Sequence, residues 1–351
     1  MPPATGALSM QPETETSKLA DPREVTLGGR VGTRLHAVGH AAMEYLGVGS
    51  VLLALVVYLS ITQTGFLTRF NIQNIFETNA VLLIVAVGLT FVMLTGGFDL
   101  SIGGMLALSG VVFAQTLQHD WSLWAAIVVV VLGAGLLGLV TNGLLIGWLG
   151  LSFLVVTLGM AAILRAAALI RTNGETVALY DYENGVFTAL KEGRVWGVSY
   201  QVVVAGAVFV LATLVLRYTG YGRMVYAVGG NRVAARLAGI NVTGIRMSVY
   251  AIAALLAGLA GVLHTARLQS APATAGDGVE LMAAAAVLIG GTTFMGGRGT
   301  MLGTLLGVVF LGVVSNGVTL AEVSPYWTGV ITGGVLILAV LVDWLRHRRA
   351  M

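Results

Sequence analysis

Cysteine is absent from this 351-residue chain and charge is scarce, with 10% of residues Asp, Glu, Lys or Arg, against roughly 25% in soluble globular proteins. The lack of cysteine excludes disulfides, thiol nucleophiles, iron–sulfur clusters and Cys-ligated zinc. Only two lysines occur, Lys18 and Lys191, and neither sits in a GxxxxGK[ST] setting. The chain therefore has no nucleotide-binding loop of that type, and any ATP must be hydrolysed by another chain. No HExxH is present. The net charge of +3 is too small to point to nucleic acid. The shortage of charge also excludes a disordered chain, a coiled coil and an ordinary water-soluble enzyme. What is abundant is apolar: 57% of residues, a mean hydropathy of +0.89 and 48 glycines. That composition fits a bilayer as solvent, where glycine lets helices approach closely.

Residues 1–43 are polar, with Pro2, Pro3, Pro12 and Pro22 and mixed charge, and read as a cytoplasmic tail; 44–351 read as one transmembrane domain. The apolar runs are 45–62, 75–95, 100–117, 122–142, 152–170, 198–216, 246–266, 281–295, 300–320 and 326–344. They are continuous rather than alternating, and backbone groups in lipid need internal partners, so helices are expected rather than strands. The expected fold is all-α: a polytopic membrane protein of about ten transmembrane helices. With both termini cytoplasmic, 13 basic residues fall inside and five outside, with Arg165 left within a span. That asymmetry satisfies the positive-inside rule.

Two connections are long. Residues 171–197 form an outer loop rich in charge, and 217–245 an inner loop with four arginines and no acid between 217 and 240. In the latter, Asn231 to Ile240 can form a short helix with Asn231 as N-cap and Gly239 as C-cap. A weak internal echo links Gly96-Gly97 and Gly103-Gly104 to Gly296-Gly297 and Gly303, and Asn142-Gly143 to Asn316-Gly317. The offsets are 200 and 174, which requires an insertion of 26 residues in one half. Repeated halves are common in transporters.

Polar groups within the apolar runs are few. Arg165 is either a contact near a permeation path or a side chain that snorkels or pairs structurally. Asp99, in TGGFDLSIGG, is either the N-cap of the third helix or part of a helix break lining the path; both roles are compatible. Thr95, Gly96 and Gly97 belong to the same interruption. Asn142, Thr157 and Asn316 are candidates for a polar path, with interhelical hydrogen bonding as the alternative. His36, His40 and Glu44 share a helical face that could hold a metal, but a turn at the membrane surface accounts for them better, and no metal site is expected. No row of buried carboxylates appears, as an ion-driven carrier would need.

The stretches GLTFVMLTGGFDLSIGGMLALSG (88–110), NGLLIGWLGLSFLVVTLGM (142–160), YGRMVYAVGGNRVAARLAGI (221–240) and AGDGVELMAAAAVLIGGTTFMGGRGTMLGTLLGVVFLGVVSNG (275–317) resemble the membrane permease subunit of bacterial ABC sugar importers, the ribose/xylose/arabinose/galactose group. The likeness runs in order from about residue 70 to the end; Phe98 stands where many relatives carry a smaller aliphatic residue. The resemblance implies a fold like the cobalamin-type importer permeases. It also implies a second permease copy, an ATP-binding-cassette ATPase and an extracytoplasmic sugar-binding protein, in the bacterial cytoplasmic membrane. ATP and magnesium would be bound by the ATPase, with no cofactor on this chain. It places an ATPase-coupling helix on Gly229, Gly230, Asn231, Arg232, Ala234, Ala235, Arg236, Leu237 and Gly239, with Ala234, Ala235 and Leu237 in the ATPase cleft. Asp181, Glu183, Lys191 and Arg194 of the outer loop are candidates for docking the binding protein, or else merely solvated. The expected function is translocation of a monosaccharide by alternating access, without covalent chemistry. The alternative is a stand-alone carrier or channel for small polar solutes.

Overall fold

The computed structural model describes residues 47–180, 182, 185–324 and 326–348. The polar tail, the His36–His40–Glu44 face, Asp181 and Glu183 lie outside the described residues. Helices dominate: α1 (Gly47–Thr62), α2 (Arg69–Leu94), α3 (Ile102–Gln118), α4 (Leu123–Gly138), α5 (Phe153–Thr172), α6 (Gly185–Glu192) and α7 (Tyr200–Tyr218). They continue as α8 (Gly220–Gly230), α9 (Arg232–Leu237), α10 (Val242–Leu268), α11 (Val279–Ile289), α12 (Met301–Leu320) and α13 (Tyr326–Arg348). α4 runs on into a π-helical stretch, Leu139–Trp148. Four short strands accompany them: β1 (Thr176–Ala178) pairs antiparallel with β4 (Ser270–Pro272), and β2 (Arg194–Val195) with β3 (Val198–Ser199).

Among the described residues, six helices are long and apolar enough to cross a membrane: α2, α4 with its π-helical extension, α5, α7, α10 and α12. Apolar helices at α1, α3, α11 and Gly329–Leu338 within α13 are shorter. Crossing by length and composition is thus shown for six of the expected runs. The run expected over 281–295 is helical only to Ile289, because Gly290, Gly291, Gly296, Gly297 and Gly299 fall within the next ten residues and four of them take positive φ. The chain there turns instead of spiralling on.

α2 and α10 form the centre. Every residue of α2 from Ala80 to Leu94 is buried, so the helix is apolar all round, as expected of one enclosed by other helices. α10 lies against α2, α3 and α4. Small residues set the spacing. A Cβ on Gly88 would stand 3.0 Å from the Ala253 backbone, and one on Gly258 2.6 Å from the Ala134 side chain. In lipid, where apolar side chains gain little by leaving their solvent, such backbone approach is a main source of helix association. α11 and α12 meet in the same way: Gly307 abuts the Ala286 carbonyl, and Gly290 and Gly303 face each other's backbone.

Gly307→Val should force α11 and α12 apart, a cost of about 1–3 kcal/mol for overpacking. The thermal midpoint of the purified chain should fall relative to Gly206→Val, where an added Cβ meets nothing within 4 Å. Equal midpoints for the two variants would contradict the packing account.

Candidate functional site

The interruption between α2 and α3 is a tight turn. Thr95 N bonds Val92 O at 3.0 Å, Gly96 N bonds Met93 O at 2.9 Å and Gly97 N bonds Val92 O at 3.2 Å. Gly96 sits at φ +69°, a conformation glycine takes without steric cost. Asp99 is 1% exposed. Its Oδ1 accepts from Ser101 N at 2.9 Å and Ser101 Oγ at 2.6 Å, and its carboxylate accepts from Asn142 Nδ2 at 3.2 and 3.3 Å. Asn142 Nδ2 also reaches Ser101 Oγ at 2.8 Å. The N-cap of α3 is Ser101, not Asp99. Asp99 closes a turn onto the residue two positions on and ties it to Asn142, which the π-helical stretch carries. Such stretches recur at functional positions because they shift a side chain off the α-helical register.

The other side of this turn is built from distant segments. Gly297 N donates to Leu94 O at 2.9 Å, joining the 290–300 turn to the end of α2. Gly296 lies so close to Gly96 that an added Cβ would stand 2.5 Å from its amide nitrogen. The two glycine pairs that echo each other in sequence therefore touch. α8 and α9 hold both. Gly229 is pressed between Leu94 O and Gly297 N, leaving no room for a Cβ, and Tyr226 Oη donates to Gly299 O at 2.9 Å. Arg232 Nη2 donates to Thr95 O at 3.2 Å and to Gly96 O at 3.1 Å. A guanidinium can hold two carbonyls at once because its donors form a rigid fork.

α9 is capped as expected: Asn231 Oδ1 accepts from Val233 N and Ala234 N, each at 3.0 Å. The C-cap is Ala238, and Gly239 follows at φ +81°. Val233 (70%), Leu237 (85%), Ala234 and Arg236 are exposed, whereas Ala235 is 4% exposed and faces the bundle. Ala235 thus does not share a free face with Ala234 and Leu237, since in a helix this short only one side can meet the bundle.

The remaining expected residues lie apart from this junction. Arg165 pairs with Glu280 Oε1 at 2.6 Å and Asp277 Oδ1 at 3.2 Å, joining α5 to the start of α11. Thr157 is buried, and its hydroxyl has no hydrogen-bond partner among the described residues. Asn316 exchanges two hydrogen bonds with Asn71, of 3.0 and 2.7 Å, at the opposite end of α2. It lines a cavity of about 260 Å³ there, together with Asn74, Asn79, His264, Arg267 and Ser315. Sequence reading singled out Asn316 alone of these, because the lining comes from five stretches far apart in the chain: 74–82, Leu106, 264–267, 275–282 and 312–319. In the outer loop, Lys191 pairs with Glu192 at 3.0 Å, and Arg194 pairs with Glu77 at 3.0 Å and reaches Gly197 O at 3.3 Å.

Residues 71–340 match the family described as "Branched-chain amino acid transport system / permease component". The chain belongs to that family. Among curated members of the permease family, the ribose import permease protein RbsC of Escherichia coli (strain K12) is 41% identical over 296 residues, 83% of this chain and 92% of RbsC. RbsC of Bacillus subtilis (strain 168) is 38% identical over 312 residues, covering 88% of this chain and 95% of that protein. The D-allose transport system permease protein AlsC of Escherichia coli (strain K12) is 35% identical over 297 residues, 84% of this chain and 90% of AlsC. No solved structure matches the chain. The matched span includes the whole junction of Leu94–Ser101, Asn142, Gly229–Arg232 and Gly296–Gly299.

Asp99→Leu or Asn142→Leu each leaves buried polar partners unsatisfied, at a cost of about 1–3 kcal/mol apiece. The double variant should lower the thermal midpoint by clearly less than the two single losses added together, since it removes both sides of the network. Simple additivity would contradict a direct Asp99–Asn142 interaction.

Proposed function

We propose that this chain is the translocation subunit of an ATP-driven importer that carries a monosaccharide, a pentose or hexose, across the bacterial cytoplasmic membrane. The observation that carries the reading is the 41% identity to a ribose import permease over 83% of this chain. In this reading about ten helices cross the membrane with both termini cytoplasmic, in a fold like that of the cobalamin-type permeases. The basic segment 217–240 then lies on the inner side, as the positive-inside rule requires. Two copies of the chain pair with ATP-binding-cassette ATPases, which bind ATP and magnesium. An extracytoplasmic sugar-binding protein docks on the outer loop, to which Asp181, Glu183, Lys191 and Arg194 belong.

The mechanism is alternating access, and the chain's own residues transmit rather than react. α9 presents Val233 and Leu237, apolar and exposed on a helix of six residues, as the surface an ATPase cleft would take. Ala235 packs behind them, and Arg232 connects the helix to the carbonyls of Thr95 and Gly96. Movement of α9 would act on the end of α2 and on the 290–300 turn together, because both are bonded to the same short segment. Rocking of packed helices about such a contact is an established mode of switching. Asp99 and Asn142 sit immediately beyond that contact and hold the start of α3.

Two measurements test the reading. Deleting the gene for this chain should abolish uptake of labelled D-ribose, D-galactose or another monosaccharide in its host. The restored uptake should stop with ATP depletion and persist with a protonophore. Uptake that survives deletion, or that purified chain alone supports in liposomes, would overturn it in favour of another carrier or a stand-alone one. In the restored strain, Leu237→Asp should cut uptake at least tenfold at normal expression and lower co-purification of the ATPase. Unchanged uptake in that variant would refute the docking surface.

A further inference from the structure

The cavity at the end of α2 remote from α9 is amphipathic in a particular way. Its lining mixes amide, hydroxyl, imidazole and guanidinium groups, from Asn74, Asn79, His264, Arg267, Ser315 and Asn316, with aliphatic side chains such as Leu82 and Met282. No carboxylate lines it among the described residues. Its volume of about 260 Å³ lies just under the roughly 300 Å³ at which sites for larger organic ligands begin, which suits one small solute.

Several of the polar groups are unspent. Asn79 Nδ2 donates to Ile75 O at 2.7 Å, but among the described residues its Oδ1 accepts nothing. The His264 ring and the Ser315 hydroxyl have no hydrogen-bond partner among the described residues. Arg267 is oriented by Glu77 O at 3.4 Å and Thr78 Oγ1 at 3.0 Å, leaving the rest of its fork open. Gly312 backs onto the Asn79 amide so closely that a Cβ would stand 2.5 Å from Nδ2. The floor is fixed by the reciprocal Asn71–Asn316 pair between α2 and α12. Donors and acceptors interspersed with aliphatic side chains complement a molecule that carries both hydroxyls and C–H groups. A free amino acid would also need an anion for its ammonium group, and the lining offers none.

We infer that this cavity is a transient binding site for a single neutral monosaccharide on the permease chain itself. The inference rests on the reading of the chain as a sugar importer's permease, in which this end faces outward. The permease would then add a check of its own to sugar delivered by a binding protein, instead of serving only as a passage. Asn74 and Thr78 in the lining are exposed, so the site is open on that side, and the expected binding is weak, in the millimolar range that ~4 kcal/mol of affinity describes.

The test uses the full chain purified in lipid nanodiscs, without partners, and saturation-transfer NMR with D-ribose, D-galactose and L-valine. A sugar signal that saturates at millimolar concentration is expected, with none from L-valine. Ser315→Val and Asn79→Leu should each weaken it at least fivefold, and His264→Gln, which keeps polarity, less. Variants are compared at matched thermal midpoints; should Asn79→Leu fail to fold beside Gly312, Ser315→Val decides alone. No sugar signal from the folded chain, a signal from L-valine instead, or one untouched by Ser315→Val would overturn the site. If sugar uptake in the host still requires the chain in those cases, the permease reading stands and only the site fails. If uptake is independent of the chain, the permease reading itself fails.

Discussion

Arg232 holds the molecule's working parts together. Its guanidinium donates to two consecutive main-chain carbonyls, Thr95 and Gly96, at the point where α2 stops. A helix end leaves carbonyls without partners, and in a low-dielectric setting each would be costly unless met by a donor. Here Leu94 O is met by Gly297 N and the next two by Arg232. The end of one central helix is thereby bonded to two segments from elsewhere in the chain. Those bonds connect α9 to the end of α2, in addition to its direct contacts with α8 and α10.

The glycines around this point follow from the same constraint. Gly229, Gly96, Gly296 and Gly297 stand backbone to backbone, and a Cβ at any of them would meet main-chain atoms at or below 2.9 Å. Main chain cannot rotate aside as a flexible side chain can, so the residues must be glycine for three segments to converge. The result is a contact made of the Gly297–Leu94 backbone bond, the Tyr226 hydroxyl on Gly299 O and the Arg232 guanidinium. Helix pairs elsewhere, such as α2 with α10, are held by continuous apolar packing and are suited to move as rigid bodies.

Much of this was legible in the sequence. The apolar runs predicted helices, and long ones formed, because a continuous apolar segment in lipid satisfies its backbone polar groups within itself only as a helix. Asn231 as a cap was readable because capping depends on local side-chain chemistry. The proximity of Gly96 to Gly296 was only hinted at by the echo between halves. Three things were not legible. The π-helical stretch bearing Asn142 has no compositional signature. The inward turn of Ala235 depends on how a six-residue helix lands on the bundle, and six residues are too few for periodicity to reveal a face. The cavity draws on residues near 75, 106, 265, 280 and 315, which the packing of α2, α3, α10, α11 and α12 brings together. Asp99 reads as the N-cap of α3, as part of a helix break, or as both; the cap position belongs to Ser101, and the Asp99 carboxylate, one step short of the helix, accepts from Ser101 and Asn142.

In the proposed mechanism α9 acts on the turn at 95–101 through the bonds of Arg232 to Thr95 O and Gly96 O. The chain has no cysteine, so one introduced at Phe98, which is 7% exposed, reports on that turn alone. In the complex assembled with its ATPase, thiol labelling at position 98 should change at least fivefold between nucleotide-free and ATP-bound states. In an Arg232→Ala background that still assembles and hydrolyses ATP, the change should vanish. The same nucleotide-dependent change with Arg232 removed would contradict the account.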